Sequence, residues 1–214
     1  HIADVAHFVT QDSALDVEAN ARATSVYLPR HTVPMLPETL SNGVCSLQEG
    51  VTRFTLSALI TLDDEGKIVG QRLARTVIRS AKRLTYIEAQ ALIDGKMEVA
   101  RQNAKTDTAY TPELIEALQR AEKLSKIIRS RREHAGMIHL DLPEVELIFD
   151  DTGHVVDAVK EDDSFTHTLI EMLMVEANEA VARTFAGLDT PLLRRIHPDP
   201  TFGDIEEVRQ FARL

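Results

Sequence analysis

The sequence predicts an α+β fold, a mixed arrangement of hairpin strands packed with long helices. Three observations predict it. Residues 51–62 and 67–79 are β-prone runs separated by Asp63-Asp64-Glu65-Gly66, which is the pattern of a hairpin with a loop longer than two residues. Residues 111–133 and 163–186 carry apolar side chains at three- and four-residue steps, the spacing of amphipathic helices. Strands do not alternate with helices in regular βα units, so a parallel doubly wound sheet is set aside.

From the start of the chain, residues 1–9 (HIADVAHFV) are apolar and β-prone and predict a strand. Alternation would place His1, Ala3, Val5 and His7 on one face, and Ile2, Asp4, Ala6 and Phe8 on the other. Asp12 to Asp16 supply helix-start residues for a helix running through Arg22. Residues 25–29 read as extended up to Pro29, and Pro37 opens one helical turn. After the 51–79 hairpin, a short helix is expected from Tyr86 to about Ile93, ending near Gly95. Thr111-Pro112-Glu113 is a helix start, with a capping threonine and proline at the first helical position. Strands at 144–149 and 154–159 flank the turn Asp150-Asp151-Thr152-Gly153. In the 163–186 helix the expected buried stripe is Phe165, Leu169, Ile170, Leu173, Met174, Ala177 and Val181. A strand at 192–196 and a helix from Asp204 close the chain.

Composition bounds the function. The 214 residues include 43% hydrophobic and 27% charged side chains, enough to bury a core and too apolar for general disorder. Net charge is −10, which disfavours non-specific nucleic-acid binding by bulk charge but allows a locally basic or metal-lined channel. The single cysteine, Cys45, excludes an internal disulfide framework and a cysteine-cluster zinc site, and suits a reducing, cytoplasmic location. No apolar run approaches the ~20 residues of a membrane helix, so no membrane partner is expected. Oligomeric state is left open. The first residues read as the middle of a strand and the last as the inside of a helix. The expectation is therefore a central piece of a longer protein, incomplete at both ends.

Glycine-rich phosphate loops, H-E-x-x-H and G-x-S-x-G are absent. His1, Asp4 and His7 could supply metal ligands, but strand alternation turns Asp4 away from both histidines, and polar residues at a sheet edge are the simpler account. Glu161-Asp162-Asp163 precedes a helix, where carboxylates favour the macrodipole. Arg120, Lys123, Lys126, Arg129, Arg131 and Arg132 make the 111–133 helix basic, as a solvated face or an RNA-backbone contact. Tyr27 and Tyr86 lie beside turn-like sequence, where a ring could stack on a base or pack in the core.

Several motifs then accumulate in order: His1-Ile2-Ala3-Asp4-Val5, Leu15-Asp16-x-Glu18-Ala19, Arg22-Ala23-Thr24-Ser25-Val26-Tyr27-Leu28-Pro29 and Pro34-Met35-Leu36-Pro37-Glu38. Leu40-Ser41-Asn42-x-x-Cys45-Ser46-Leu47, Arg83-Leu84-Thr85-Tyr86, Leu169-Ile170-Glu171 with Ala177-Asn178, and Arg195-Ile196-His197 continue the series. Together they resemble the ribonuclease II / ribonuclease R family, and the chain looks like the central part of its RNB catalytic domain, residues 1–214.

The resemblance implies a parent enzyme that is a 3′→5′ exoribonuclease. Such an enzyme hydrolyses single-stranded RNA to nucleoside 5′-monophosphates with Mg²⁺ held by an aspartate cluster. That cluster, roughly D-x5-D-x-D-D, precedes the HIADV-like strand in the family; Asp4, Asp12 and Asp16 do not match it, so no metal ligand is assigned here. The family's later catalytic arginine and its cold-shock and S1 domains also have no counterpart in the chain, which implies that the piece alone is inactive. By the same resemblance, Tyr27 matches the tyrosine that stacks near the 3′ end of the RNA and sets the end-product length. Tyr86 matches a tyrosine implicated in substrate choice, and Glu171 a glutamate at the active-site end of the channel. The opposing aromatic of the family's base clamp aligns with Leu140, which has no π face. Two rival classes remain: a non-catalytic RNB-like RNA-binding or regulatory protein that lost its metal ligands, and an unrelated scaffold using the basic helix.

Overall fold

A computed structural model describes residues 1–139, 145–196 and 198–212. It divides into two compact units, His1–Val181 and Ala182–Leu214. The architecture is the α+β mixture expected from the sequence.

The frame of the first unit is the long antiparallel hairpin of β4 (Thr52–Leu62) and β5 (Ile68–Arg79), joined by β1 (Ile2–Ala3) along the edge of β4. The sheet register runs from Thr52 opposite Arg79 to Leu62 opposite Ile68, with a bulge at Thr61/Leu62. Asp63 Oδ1 closes the connecting turn by accepting from the backbone N–H groups of Glu65 and Lys67. Gly66 is required at the tip twice over: its φ is +78°, and a Cβ there would lie 2.6 Å from Cγ2 of Ile127.

The predicted strand over residues 1–9 is shorter than expected. β1 stops at Ala3, and Val5–His7 form a 3-10 turn. The cause is local packing: the His7 and Phe8 rings fold over Phe54, with centroids 4.4 and 6.4 Å away, which an extended chain could not arrange. Asp4 is buried beside Arg75 (3.6 Å). His1 Nδ1 instead meets Ser57 Oγ at 2.6 Å.

Helix α1 (Ala14–Arg22) is capped by Ser13, and a small hairpin of β2 (Val26–Leu28) and β3 (His31–Val33) follows. The single helical turn expected at Pro37 is a π-helical turn, Thr39–Val44. Arg53 organises the loop behind it, donating to the carbonyls of Ser46 and Gly43. Burial pushes the Cys45 thiol up, with Arg53 pulling it partly back, so the protonated, unreactive form dominates at neutral pH.

Helix α2 (Tyr86–Ile93) has the expected bounds because Thr85 and Glu88 form a reciprocal capping box. A short helix absent from the sequence prediction, α3 (Met97–Gln102), packs Ala100 against Ala91 and Leu92, and α4 (Pro112–His134) adds Ile115 and Leu118 to this core. Strands β6 (Val145–Phe149) and β7 (Val155–Lys160) form a separate two-stranded ribbon.

In α5 (Phe165–Gly187) the buried face is Thr166, Leu169, Met172, Glu176 and Ala180. The predicted stripe is thus rotated, and Ile170 and Met174 are exposed. The reason is electrostatic. Glu176, 2% exposed, is gripped by Arg131 and by Arg132 (2.9 Å) of α4, while Arg132 also reaches Glu179 (2.5 Å). Arg131 donates in turn to the Gly66 carbonyl at 2.6 Å, so one cluster joins α4, α5 and the hairpin tip. In the second unit, residues 192–196 form no strand. They are mostly exposed and pair with no strand among the described residues, and α6 (Phe202–Phe211) begins from a Thr201/Asp204 capping box.

Two expectations follow. Replacing Glu176 with alanine removes the shared partner of two arginines, and chemical denaturation should show a loss of about 3 kcal/mol, with Glu176→Gln falling between. The Tyr110 hydroxyl donates to buried Glu88 at 2.7 Å. Its phenol is pushed up to about 12, first by burial and then by the Glu88 carboxylate. Because the folded value lies above the unfolded ~10, this contribution to stability is full below pH ~10 and is lost as pH rises through the folded value. Near-ultraviolet titration should show one of the three tyrosines ionising near pH 12, and Tyr110→Phe should remove that step.

Candidate nucleic-acid interface

Tyr27 sits in the middle of β2, paired with Thr32 across the small hairpin, and is 78% exposed. It is not a core residue. The hairpin is anchored at its base: Met35 N donates to Ser25 Oγ (3.1 Å), and Arg22 of α1 donates to the Pro34 carbonyl (3.2 Å). At its tip, Arg30 adopts a left-handed φ of 63°. Its guanidinium lies 5.7 Å from the centroid of Phe149 and approaches the Asp150 carbonyl at 3.5 Å. Arg30 therefore ties the Tyr27 hairpin to the β6–β7 ribbon.

Tyr86 is the first residue of α2 and is 43% exposed. One face of its ring is covered by His167 of α5, with centroids 3.7 Å apart and planes 25° from parallel. His167 Nε2 meets Asp162 Oδ2 at 3.0 Å. Asp162 also accepts from the Ser164 N–H (3.1 Å) and hydroxyl (2.9 Å), and Thr166 Oγ1 donates to the Tyr86 carbonyl (2.9 Å). Burial pushes the Asp162 carboxyl up, but the bonds from Ser164 and His167 outweigh it and hold it below the usual range. An ionised carboxylate only accepts, so His167 presents its Nε2–H.

Glu171 is exposed on α5, one helical turn beyond His167 and on the same face. The structure thus brings Tyr86 and Glu171 into one neighbourhood through His167, and carries Tyr27 on a separate hairpin. Leu140 and His197 lie outside the described residues. Sequence reasoning missed His167 and Arg30 and read Asp162 only as a helix-start carboxylate. The readable signal was His167 four residues before Glu171.

The basic face of α4 is largely neutralised within the fold. Arg120 pairs with Glu116, Lys126 with Glu122 and Arg129 with Glu133, beside the two arginines on Glu176. Among the described residues, no three His, Cys, Asp or Glu side chains are placed to share a metal ion. His1 and His7 are engaged by Ser57 and Phe54 and do not converge with Asp4. Among the described residues no helix is long and apolar enough to cross a membrane.

Comparison with known proteins gives these side chains a setting. The profile of the RNB domain matches residues 1–213. This chain belongs to the RNB domain family. The resemblance carried by the ordered motifs is thereby borne out. Ribonuclease R 2 of Lactococcus lactis is 40% identical over 214 residues, covering 100% of this RNB chain and 31% of the relative. Ribonuclease R of Mycoplasmopsis pulmonis is 39% identical over 201 residues, 94% of this chain and 26% of that protein. Among solved structures, Mycoplasma genitalium RNase R in complex with ribose-methylated single-stranded RNA superposes with a TM-score of 0.88 at 32% identity, covering 98% of this chain and 31% of that one. The chain thus spans under a third of the length of these relatives.

The lowered Asp162 pKa gives a signed pH effect. Its contribution to stability is full above the unfolded carboxylate value of about 3.9 and is lost as pH falls through the lower folded value. Urea denaturation followed downward from pH ~5 should show a smaller acid-induced loss in Asp162→Asn than in the natural protein.

Proposed function

We propose that the protein carrying this RNB domain is a 3′→5′ exoribonuclease that takes single-stranded RNA and releases nucleoside 5′-monophosphates. The observation that carries this reading is the RNB match over residues 1–213, together with 40% identity to a ribonuclease R across the whole chain. The described side chains support it with an RNA-holding surface. Tyr27 offers an exposed ring, and a tyrosine face accepts any base, which suits degradation without sequence preference. Tyr86 is 43% exposed, with one ring face covered by His167. Glu171 supplies a carboxylate on the same side of α5, where it can accept a hydrogen bond from a bound nucleotide.

Hydrolysis is proposed to use Mg²⁺ held by an aspartate cluster that the family resemblance places ahead of the strand at His1. In this reading the described residues bind and orient the RNA and do not cleave it alone. The single cysteine suits the cytoplasm as the place of action.

The test uses the full-length protein and a 5′-labelled single-stranded oligoribonucleotide. The expected result is stepwise shortening from the 3′ end to a short limit product. An RNA that is bound but never shortened would favour the non-catalytic RNB-like reading. Tyr27→Ala should lengthen the limit product and weaken binding of short oligonucleotides by about 1–3 kcal/mol, the value of one base–aromatic stack. An unchanged limit length on a sequencing gel would reject that role.

A further inference from the structure

We propose that His167 is a positioning residue for RNA binding: it covers one face of Tyr86, fixes the ring at the start of α2, and leaves the opposite face as a ready stacking platform for a base. This rests on the reading of Tyr86 as an RNA contact.

The geometry carries the argument. A tyrosine 43% exposed at the first position of a helix ordinarily moves among its χ1 rotamers. Here the imidazole of His167 lies 3.7 Å from the ring centroid and 25° from parallel, an aromatic contact that selects one rotamer. The imidazole is itself held, because its Nε2–H donates to Asp162 Oδ2 at 3.0 Å. Asp162 is held in turn by the Ser164 N–H and hydroxyl. The backbone under Tyr86 is tied to the same helix by Thr166 Oγ1 at 2.9 Å. The starts of α2 and α5 are thus joined at both side-chain and main-chain level.

A base entering against the free face completes a three-layer stack of base, Tyr86 and His167. Because the ring is already ordered, less rotamer entropy is lost on binding. The role belongs to the imidazole as a ring, with Asp162 setting its plane. That separates the proposal from a purely structural hydrogen bond and dictates the variants.

The experiment measures binding of a single-stranded oligoribonucleotide carrying 2-aminopurine to the full-length protein, with fluorescence quenching as the stacking signal. His167→Ala is expected to weaken binding by about 5-fold or more and to relieve quenching, a share of one base–aromatic stack. His167→Phe, which keeps a ring and drops the bond to Asp162, should restore binding and quenching. His167→Gln, which can keep the bond but has no ring, should behave as alanine does. In a Tyr86→Ala background the His167→Ala change should add nothing, since its effect passes through Tyr86.

The proposal is overturned if glutamine rescues and phenylalanine does not, or if the two substitutions are additive. It also fails if the natural protein binds RNA and none of the His167 variants differs from it; that result leaves the RNA-binding reading standing. A natural protein that does not bind the oligonucleotide removes the reading and the inference together.

Discussion

The first unit depends on one buried carboxylate. Glu176 is nearly inaccessible to water, and taking an ionised glutamate out of water is costly unless cations and hydrogen bonds replace the lost solvation. Arg131 and Arg132 supply both at Oε1, while the buried Oε2 has no hydrogen-bond partner. Their placement on consecutive residues of α4 fixes the rotation and the axial position of α5 against α4. Arg131 also holds the Gly66 carbonyl, so the same cluster fixes how the long hairpin meets the helices. A charged group in this role is exacting, because charge-assisted hydrogen bonds are directional and apolar contact is not.

That rigidity reaches the candidate interface through α5. The helix that presents Glu176 to α4 also presents Thr166 and His167 to the start of α2, and Glu171 lies between the two contacts along the chain. The position of Tyr86 is therefore set by a frame anchored in buried charge. The capping box of Thr85 and Glu88 supports it from the other side, where Glu88 also receives the Tyr110 hydroxyl.

Much of this was legible before any coordinates. Thr85 and Glu88 spell a capping box, Thr111-Pro112 a helix start, and residues 63–66 a hairpin turn, because each depends on neighbours in sequence. Other features depend on distant partners and were not legible. The buried face of α5 was misjudged because hydrophobicity ranks Glu176 as a surface residue, and only the arginines of another helix reverse that ranking. Residues 1–9 looked like a continuous strand, but the packing of His7 and Phe8 on Phe54 turns the chain after Ala3. Helix α3 has no side-chain cap to announce it. Residues 192–196 have strand-like composition but pair with no strand among the described residues. At the candidate site, Tyr27, Tyr86 and Glu171 were found through motif resemblance, whereas His167 becomes visible only when α2 and α5 meet.

The Arg30 contact couples the stability of two small ribbons. Two-stranded ribbons are marginal by themselves, and here one carries Tyr27 while the other receives the Arg30 guanidinium through Phe149. The Arg30 guanidinium gives each ribbon a contact outside its own pairing, apart from the helices that carry Tyr86. Tyr27 and Tyr86 thus rest on different supports, one on a two-stranded ribbon tied through Arg30 and the other on a helix start tied to α5. A change at Phe149 would therefore be felt at Tyr27 through one guanidinium, while Tyr86 would answer only to changes in α5.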